Sequence, residues 1–169
     1  MMKLHLFALL LLPCLLVGCK RPTSQAEIAR VVEGGGKDVA SDDAAMNRAI
    51  AEAQSTSEEF LKAFRDNKPG TDEFMVKKPY GSPSGRKEHM WIAVTGEKNG
   101  ILQGVVMNEP DYTNEVKLEQ RVSLNISEIT DWKYLKGKKM IGGYTIRYYL
   151  NTLSPEEQKA FLKSTGTEL

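Results

Sequence analysis

The stretch His89-Met90-Trp91-Ile92-Ala93-Val94-Thr95, followed by Gly96-Glu97-Lys98-Asn99-Gly100 and Ile101-Leu102-Gln103-Gly104-Val105-Val106-Met107-Asn108, decides the fold class of this chain. Two runs of strand-forming residues flank a segment of hairpin length and hairpin chemistry. In the first run Met90, Ile92 and Val94 alternate with His89, Trp91 and Ala93, and both sets are largely apolar. A strand that is apolar on both faces is either covered on both sides or lies in a curled sheet.

Working outward, Phe74 to Lys78 reads as a preceding strand ended by Pro79, with Gly81-Ser82-Pro83-Ser84-Gly85 as the connecting loop. Downstream, Val116, Leu118, Val122, Leu124 and Ile126 alternate with Lys117, Glu119, Arg121 and Ser123, which predicts one long strand with a wet face. Trp132 to Leu135 and Lys139 to Ile141 read as a last hairpin around Gly137. Tyr144 to Leu150 has strand-like composition, but Ile146, Tyr149, Leu150 and Leu153 fit a helix face, and helix is the reading adopted. Upstream, Ser41-Asp42-Asp43 offers helix-capping oxygens. Met46, Ala49, Ile50, Ala53, Phe60, Leu61 and Phe64 then recur at helical spacing, with a break allowed at Ser55-Thr56-Ser57 and a stop at Asp66-Asn67-Lys68-Pro69-Gly70. Ser154-Pro155-Glu156-Glu157 is a capping box that starts a final helix. The predicted class is α+β: a twisted antiparallel sheet of about five or six strands, with partial barrelling allowed, and with an N-terminal helix and C-terminal helices packed on it.

The first residues read as a targeting segment. Lys3 is a short positive region, and Leu6 to Val17 is apolar except at Pro13. A bilayer span needs about 20 apolar residues, so this run fits a signal peptide better than a transmembrane helix. It ends in Leu16-Val17-Gly18-Cys19, which resembles the bacterial lipobox, where the Cys is acylated and becomes the new N-terminus. That resemblance implies removal of residues 1–18, lipid on Cys19 and a flexible tether over 19–40 that contains Gly34-Gly35-Gly36. A single folded domain over 41–169 follows. Anchoring by several acyl chains is stable where one is marginal. By resemblance to enteric lipoproteins, Lys20 rather than Asp after the Cys favours the outer membrane, facing the periplasm.

Composition narrows the chemistry. The chain of 169 residues has 23 Lys+Arg, 22 Asp+Glu, two His and two Cys, so it lacks the basic excess of a general nucleic-acid binder. After processing, 151 residues remain, with His89 as the sole histidine and no free thiol. Disulfides, thiol nucleophiles and histidine-rich zinc sites are thereby excluded, and no cofactor is expected. Carboxylate chemistry stays open at Glu88, Glu109 and Asp131, two of which would face each other across a cleft in a cell-wall glycosidase. The candidate binding residues are His89, Trp91, Asn108, Glu109, Asp131, Trp132, Tyr144 and Arg147. Each has a plainer alternative. His89 suits a hydrogen-bonded sheet position, the two Trp suit a core, Asn108-Glu109-Pro110 suits a strand end and Asp131 suits a turn cap. Gly142-Gly143 suits a turn with φ > 0, or presents backbone amides to an anion at a helix start. Lys136, Lys138 and Lys139 make a basic tip, solvated or in contact with anionic lipid or glycan.

The ordered set His89-Met90-Trp91, Asn108-Glu109-Pro110, Asp131-Trp132 and Gly142-Gly143-Tyr144-Thr145 resembles the bacterial YegJ-like family, a domain of unknown function, over roughly Asp43 to Phe161. That family's domain occurs in small exported proteins and appended to interaction repeats, which implies a module that binds and carries over no catalytic residue. The expected function is a lipid-anchored, non-catalytic binding module of the cell envelope, with an envelope protein or the cell wall as partner. A periplasmic inhibitor or immunity-like protein and the wall glycosidase are the alternatives.

Overall fold

A computed structural model of the chain describes residues 43–169. The expected signal peptide over 1–18, lipidation of Cys19, tether over 19–40 and domain start at Ser41 fall on residues outside those described. Helices α1 (Ala44–Ser55) and α2 (Ser57–Asp66) lead into strands β1 (Thr71–Gly81), β2 (Lys87–Lys98), β3 (Ile101–Val106) and β4 (Arg121–Asn125). A single 3-10 turn, Ile126–Glu128, precedes β5 (Asp131–Lys136) and β6 (Lys139–Gly142), and helices α3 (Tyr144–Leu150) and α4 (Pro155–Thr165) close the chain. The six strands form one open antiparallel sheet in the order β4-β3-β2-β1-β5-β6, so the α+β class holds and the sheet does not close into a barrel.

Local chemistry sets the ends of most elements. Asp43 caps α1 by accepting the N–H groups of Ala45 and Met46, each at 2.9 Å. The helix breaks at Thr56, where the Ser-Thr-Ser segment weakens it, and α2 stops at Asn67 in the left-handed region, φ 41°. The Ser154 capping box forms at the start of α4. The β2–β3 connection is tighter than the Gly96–Gly100 loop read from the sequence. Strand β2 continues to Lys98, and the turn is Asn99-Gly100 alone, with φ 53° and 76°. Two consecutive positive φ values match the right-handed twist of the flanking strands, and Asn-Gly tolerates both.

Two strand limits differ from the sequence reading. Pro79 does not end β1 but pairs with His89. The β1–β5 ladder stops at Lys77, so Pro79 has a strand neighbour on one side only and its missing N–H interrupts nothing there. The long strand expected from Val116 to Ile126 is only Arg121–Asn125. A turn from Lys117 to Gln120, with Glu119 at φ 62°, breaks the extended backbone. Val116 still reaches the core and Leu118 is exposed, which is how a turn imitated an alternating strand.

The two apolar faces of β2 are buried under different helices. Met90 and Ile92 pack with Ala53, Phe60 and Leu61 of α1 and α2, with Val76, Leu102, Leu124 and Trp132. Trp91 faces the opposite way and packs with Met140, Ile146, Leu150 and Phe161, flanked by Met75 and Leu135. The chain passes from β6 into α3 through Gly142 and Gly143, at φ 75° and 69°. A Cβ on Gly142 would stand 2.3 Å from the Trp132 carbonyl oxygen and 2.5 Å from its ring. Gly142→Ala should therefore lower the unfolding free energy by about 3 kcal/mol or more, clash adding to left-handed strain. Gly137→Ala, at φ 61° with nothing within 4 Å of the added methyl, should cost only about 1–2 kcal/mol. Urea unfolding of both variants measures the difference.

Candidate functional site

Strand order brings β1 between β2 and β5, and with it Lys77 between Trp91 and Asp131. Asp131 is fully buried. Its Oδ1 accepts the N–H of Trp132 at 2.8 Å and of Tyr144 at 3.0 Å. Its Oδ2 accepts the N–H of Thr145 at 2.8 Å and the Thr145 hydroxyl at 2.6 Å. The anion at the start of α3 is thus the chain's own carboxylate, held by the Tyr144 and Thr145 amides, while the Gly143 N–H donates to the Trp132 carbonyl. Burial pushes the Asp131 carboxyl up, opposed by Thr145, by the Lys77 charge and by the Trp132 N–H.

The Lys77 ammonium donates one long hydrogen bond, 3.5 Å, to Thr145 Oγ1, which itself donates to Asp131. It also stands 5.2 Å from the centre of the Trp91 ring. Lys133 reaches the same ring from β5, at 5.5 Å. Burial pushes Lys77 down, with the Lys133 charge adding to that and Asp131 opposing it. Beside Trp91 on β2, His89 Nδ1 lies 2.9 Å from Thr130 Oγ1. The Thr130 hydroxyl donates to the Lys77 carbonyl at 3.3 Å, which assigns the imidazole proton to Nδ1 and leaves Nε2 as an acceptor. Burial, then the Lys77 and Lys87 charges, lower His89 to about 4, so the ring is neutral at pH 7.

The other candidates disperse. Asn108 Oδ1 accepts the Trp91 N–H at 2.8 Å, extending the β2–β3 ladder one step past the end of β3. Trp132 belongs to the opposite core, with Nε1 donating to the Ala53 carbonyl at 2.9 Å. Tyr144 packs edge-on against Trp132 and accepts from Thr56 Oγ1. Arg147 donates to the carbonyls of Gly142 and Met140, tying α3 to β6. Glu109 is exposed. A groove holding all of them is not formed: His89, Trp91 and Asp131 share a face, and Trp132 and Tyr144 lie on the other side. Glu88, read as a possible acid or base, accepts the N–H groups of Asp111, Tyr112 and Thr113 at 2.7, 2.8 and 2.7 Å. It pins the long β3–β4 loop. Sequence reasoning missed Lys77, Lys133 and Thr130. A lysine inside the first strand was a signal for Lys77; nothing local marked the other two. Among the described residues no three His, Cys, Asp or Glu side chains converge as a metal-ligand set.

A family model described as an uncharacterised protein conserved in bacteria, DUF2314, matches residues 43–169. The chain belongs to this family. It is 36% identical to the uncharacterised protein YegJ of Escherichia coli over 116 residues, 69% of this chain and 74% of YegJ. It is 28% identical over 123 residues to a putative ankyrin repeat protein of Neisseria meningitidis, 69% of this chain but 49% of that one. The chain thus spans about half the length of the Neisseria relative. No solved structure matches it. The resemblance read from four short motifs is therefore shown, and the structure resolves the motifs into two pairs. Asp131-Trp132 with Gly142-Gly143-Tyr144-Thr145 builds the α3 corner, and His89-Met90-Trp91 with Asn108 builds the end of the β2–β3 ladder.

Asp131→Asn turns one accepting oxygen into an N–H₂ facing donors, and should cost about 3 kcal/mol of unfolding free energy. Hydrogen exchange in that variant should rise first at Tyr144 to Leu150. His89 adds a pH dependence. Its folded pKa of about 4 lies below the ordinary 6.5, so the unfolded chain takes the proton first. This contribution is complete above pH 6.5 and is lost as pH falls toward 4, about 3 kcal/mol over the window. Glu97, held at about 2 chiefly by Arg65, loses its contribution only as pH drops below 4.5. His89→Asn, which keeps a donor for Thr130, should flatten the urea midpoint between pH 6.5 and 5.

Proposed function

We propose that the protein is a lipid-anchored, non-catalytic binding module of the bacterial cell envelope, tethered through Cys19 at the outer membrane with its folded domain in the periplasm. The observation that carries the non-catalytic reading is the state of the two buried carboxylates. Glu88 is occupied by three backbone N–H groups and Asp131 by three N–H groups and a hydroxyl. Acid–base work requires a group free to meet a substrate proton, and these two are committed to holding a loop and a helix. The Leu16-Val17-Gly18-Cys19 sequence supports the anchor, and no helix among the described residues is long and apolar enough to cross a membrane. The ankyrin repeats in the Neisseria relative's name support a role by contact, since stacked repeats present extended binding surfaces. The binding surface is placed around Lys133, which is half-buried, whereas Trp91 beside it is closed over by α3 and α4.

Two measurements on the full chain test this. In a bacterial host, a palmitate analogue should label the protein, and Cys19→Ala should abolish the label and release the protein from the membrane pellet. An unlabelled wild type in the soluble fraction overturns the anchor. For the face, a photo-crosslinking residue at Lys133 should form a discrete adduct in intact envelopes, whereas one at Lys62, on the outer side of α2 and 74% exposed, should not. Equal capture at both positions, or none at Lys133, overturns the assignment of the face. A near-stoichiometric protein adduct would make the chain an inhibitor or adaptor.

A further inference from the structure

The side of the sheet that carries α3 and α4 is covered by them only in part. Residues directly opposite each other in an antiparallel ladder share a face. The registers place Lys133 of β5, Met75 of β1, Ala93 of β2, Val105 of β3 and Arg121 of β4 in one row on this side. Helices α3 and α4 close over the Met75 end, together with Trp91, Leu135 and Met140. Past Met75 that cover stops. Among the described residues, Ala93 and Val105 are half-buried and pack in neither core. On the same side, Ile101 at the start of β3 and Met107 just past its end are 42% and 50% exposed. Contiguous apolar surface rimmed by polar residues marks an interaction site.

The charge of this strip has one sign. Lys98 lies opposite Ile101, and Arg121 lies opposite Val105. By strand spacing and rise these two cations stand about 16 Å apart, at opposite corners of the strip. Their side chains hold no ion pair or hydrogen bond among the described residues. Strands β2, β3 and β4 turn no carboxylate to this side, because Glu88 lies opposite Tyr80 and Glu97 opposite Leu102, both toward α1 and α2. On β1 and β5, Asp131 is buried and filled with donors, and Asp72 lies beyond the bulge at the start of β1.

We propose that this strip docks an amphipathic segment of a partner protein, aliphatic at its centre and with an Asp or Glu at each end. The centre covers Ile101 and Val105, and the two carboxylates meet Lys98 and Arg121. This rests on the reading of the same side of the sheet, at Lys133, as the binding surface, and adds the chemistry of the partner. Other occupants fit less well. A second copy laid face to face sets these cations against each other. A bilayer is flat, and α3 and α4, each about 10 Å thick, rise beside the strip and hold it off Ala93 and Val105.

The test uses the full chain in intact envelopes, with a photo-crosslinking residue at Gln103, exposed between Ile101 and Val105. One discrete protein adduct should form, and the attached peptide should hold aliphatic residues bracketed by Asp or Glu. Arg121→Glu should lower the yield roughly tenfold or more. Exchanging the bracketing acid of the attached peptide for Lys should restore it, which a misfolded variant would not allow. The proposal is overturned if the adduct is to lipid, to a second copy or to the chain's own residues before Asp43. It is equally overturned if the attached peptide lacks the acids, if Arg121→Glu leaves the yield unchanged, or if the Lys exchange restores nothing. No adduct at Gln103 while the Lys133 crosslink forms removes this strip and leaves the Lys133 surface standing. Absence at both positions removes both readings.

Discussion

A carboxylate that ends a turn and opens an interior strand, away from water, has to be met by donors. At Asp131 four of them converge: two N–H groups and a hydroxyl from the first turn of α3, and the N–H of Trp132. Much of the second half of the fold depends on that convergence. It fixes where α3 begins, and so where Ile146 and Leu150 meet Trp91 and Phe161. It also explains the glycines before the helix. The backbone has to leave β6, pass within van der Waals limits of Trp132 and arrive with its amides aimed at the carboxylate, a path that uses two consecutive left-handed residues.

The motifs that mark the family are therefore first of all devices of folding. Asn108 continues a ladder after its strand has ended, and Glu88 imposes order on a long loop by collecting three consecutive amides. Polar side chains that substitute for backbone partners are costly to remove, because each deletion strands a buried donor. Among the candidate residues, those that look most chemical in the sequence, the buried carboxylates, are the most committed to structure. The residues left with spare donors are lysines that no motif contains.

These lysines owe their surroundings to the sheet. Lys77 lies in an interior strand, beside a tryptophan on one neighbour and a carboxylate on the other. On a sheet edge its ammonium would be solvated and unremarkable. Here the Trp91 ring takes part of the charge through its face, Asp131 offsets part through Thr145, and Lys133 brings a second charge to the same ring. A neutral His89 with a free acceptor nitrogen completes a polar strip where α3 and α4 close the face.

Much of the fold was legible in the residues themselves because it is decided locally. Asp43 and Ser154 announce helix starts by the oxygen they offer to free amides. Asn99-Gly100 permits a turn few other pairs can make, and the doubly apolar β2 requires cover on both sides. Alternation misled where a turn happened to keep period two, from Val116 to Gln120, and proline misled where a strand had only one neighbour. The site was legible only in part. Of the eight candidate residues, the sheet puts His89, Trp91 and Asp131 on one face, whereas Trp132, Tyr144, Asn108 and Arg147 make contacts that hold the fold. Periodicity tells which face a residue occupies and nothing about which strand lies beside it. That Lys77 meets both Trp91 and Asp131, 14 residues and 54 residues away in the chain, follows from β1 pairing with β5 as well as with β2. Such a pairing is selected by the packing of the whole sheet, so sequence determined the elements and their caps, and the tertiary structure alone decided their company.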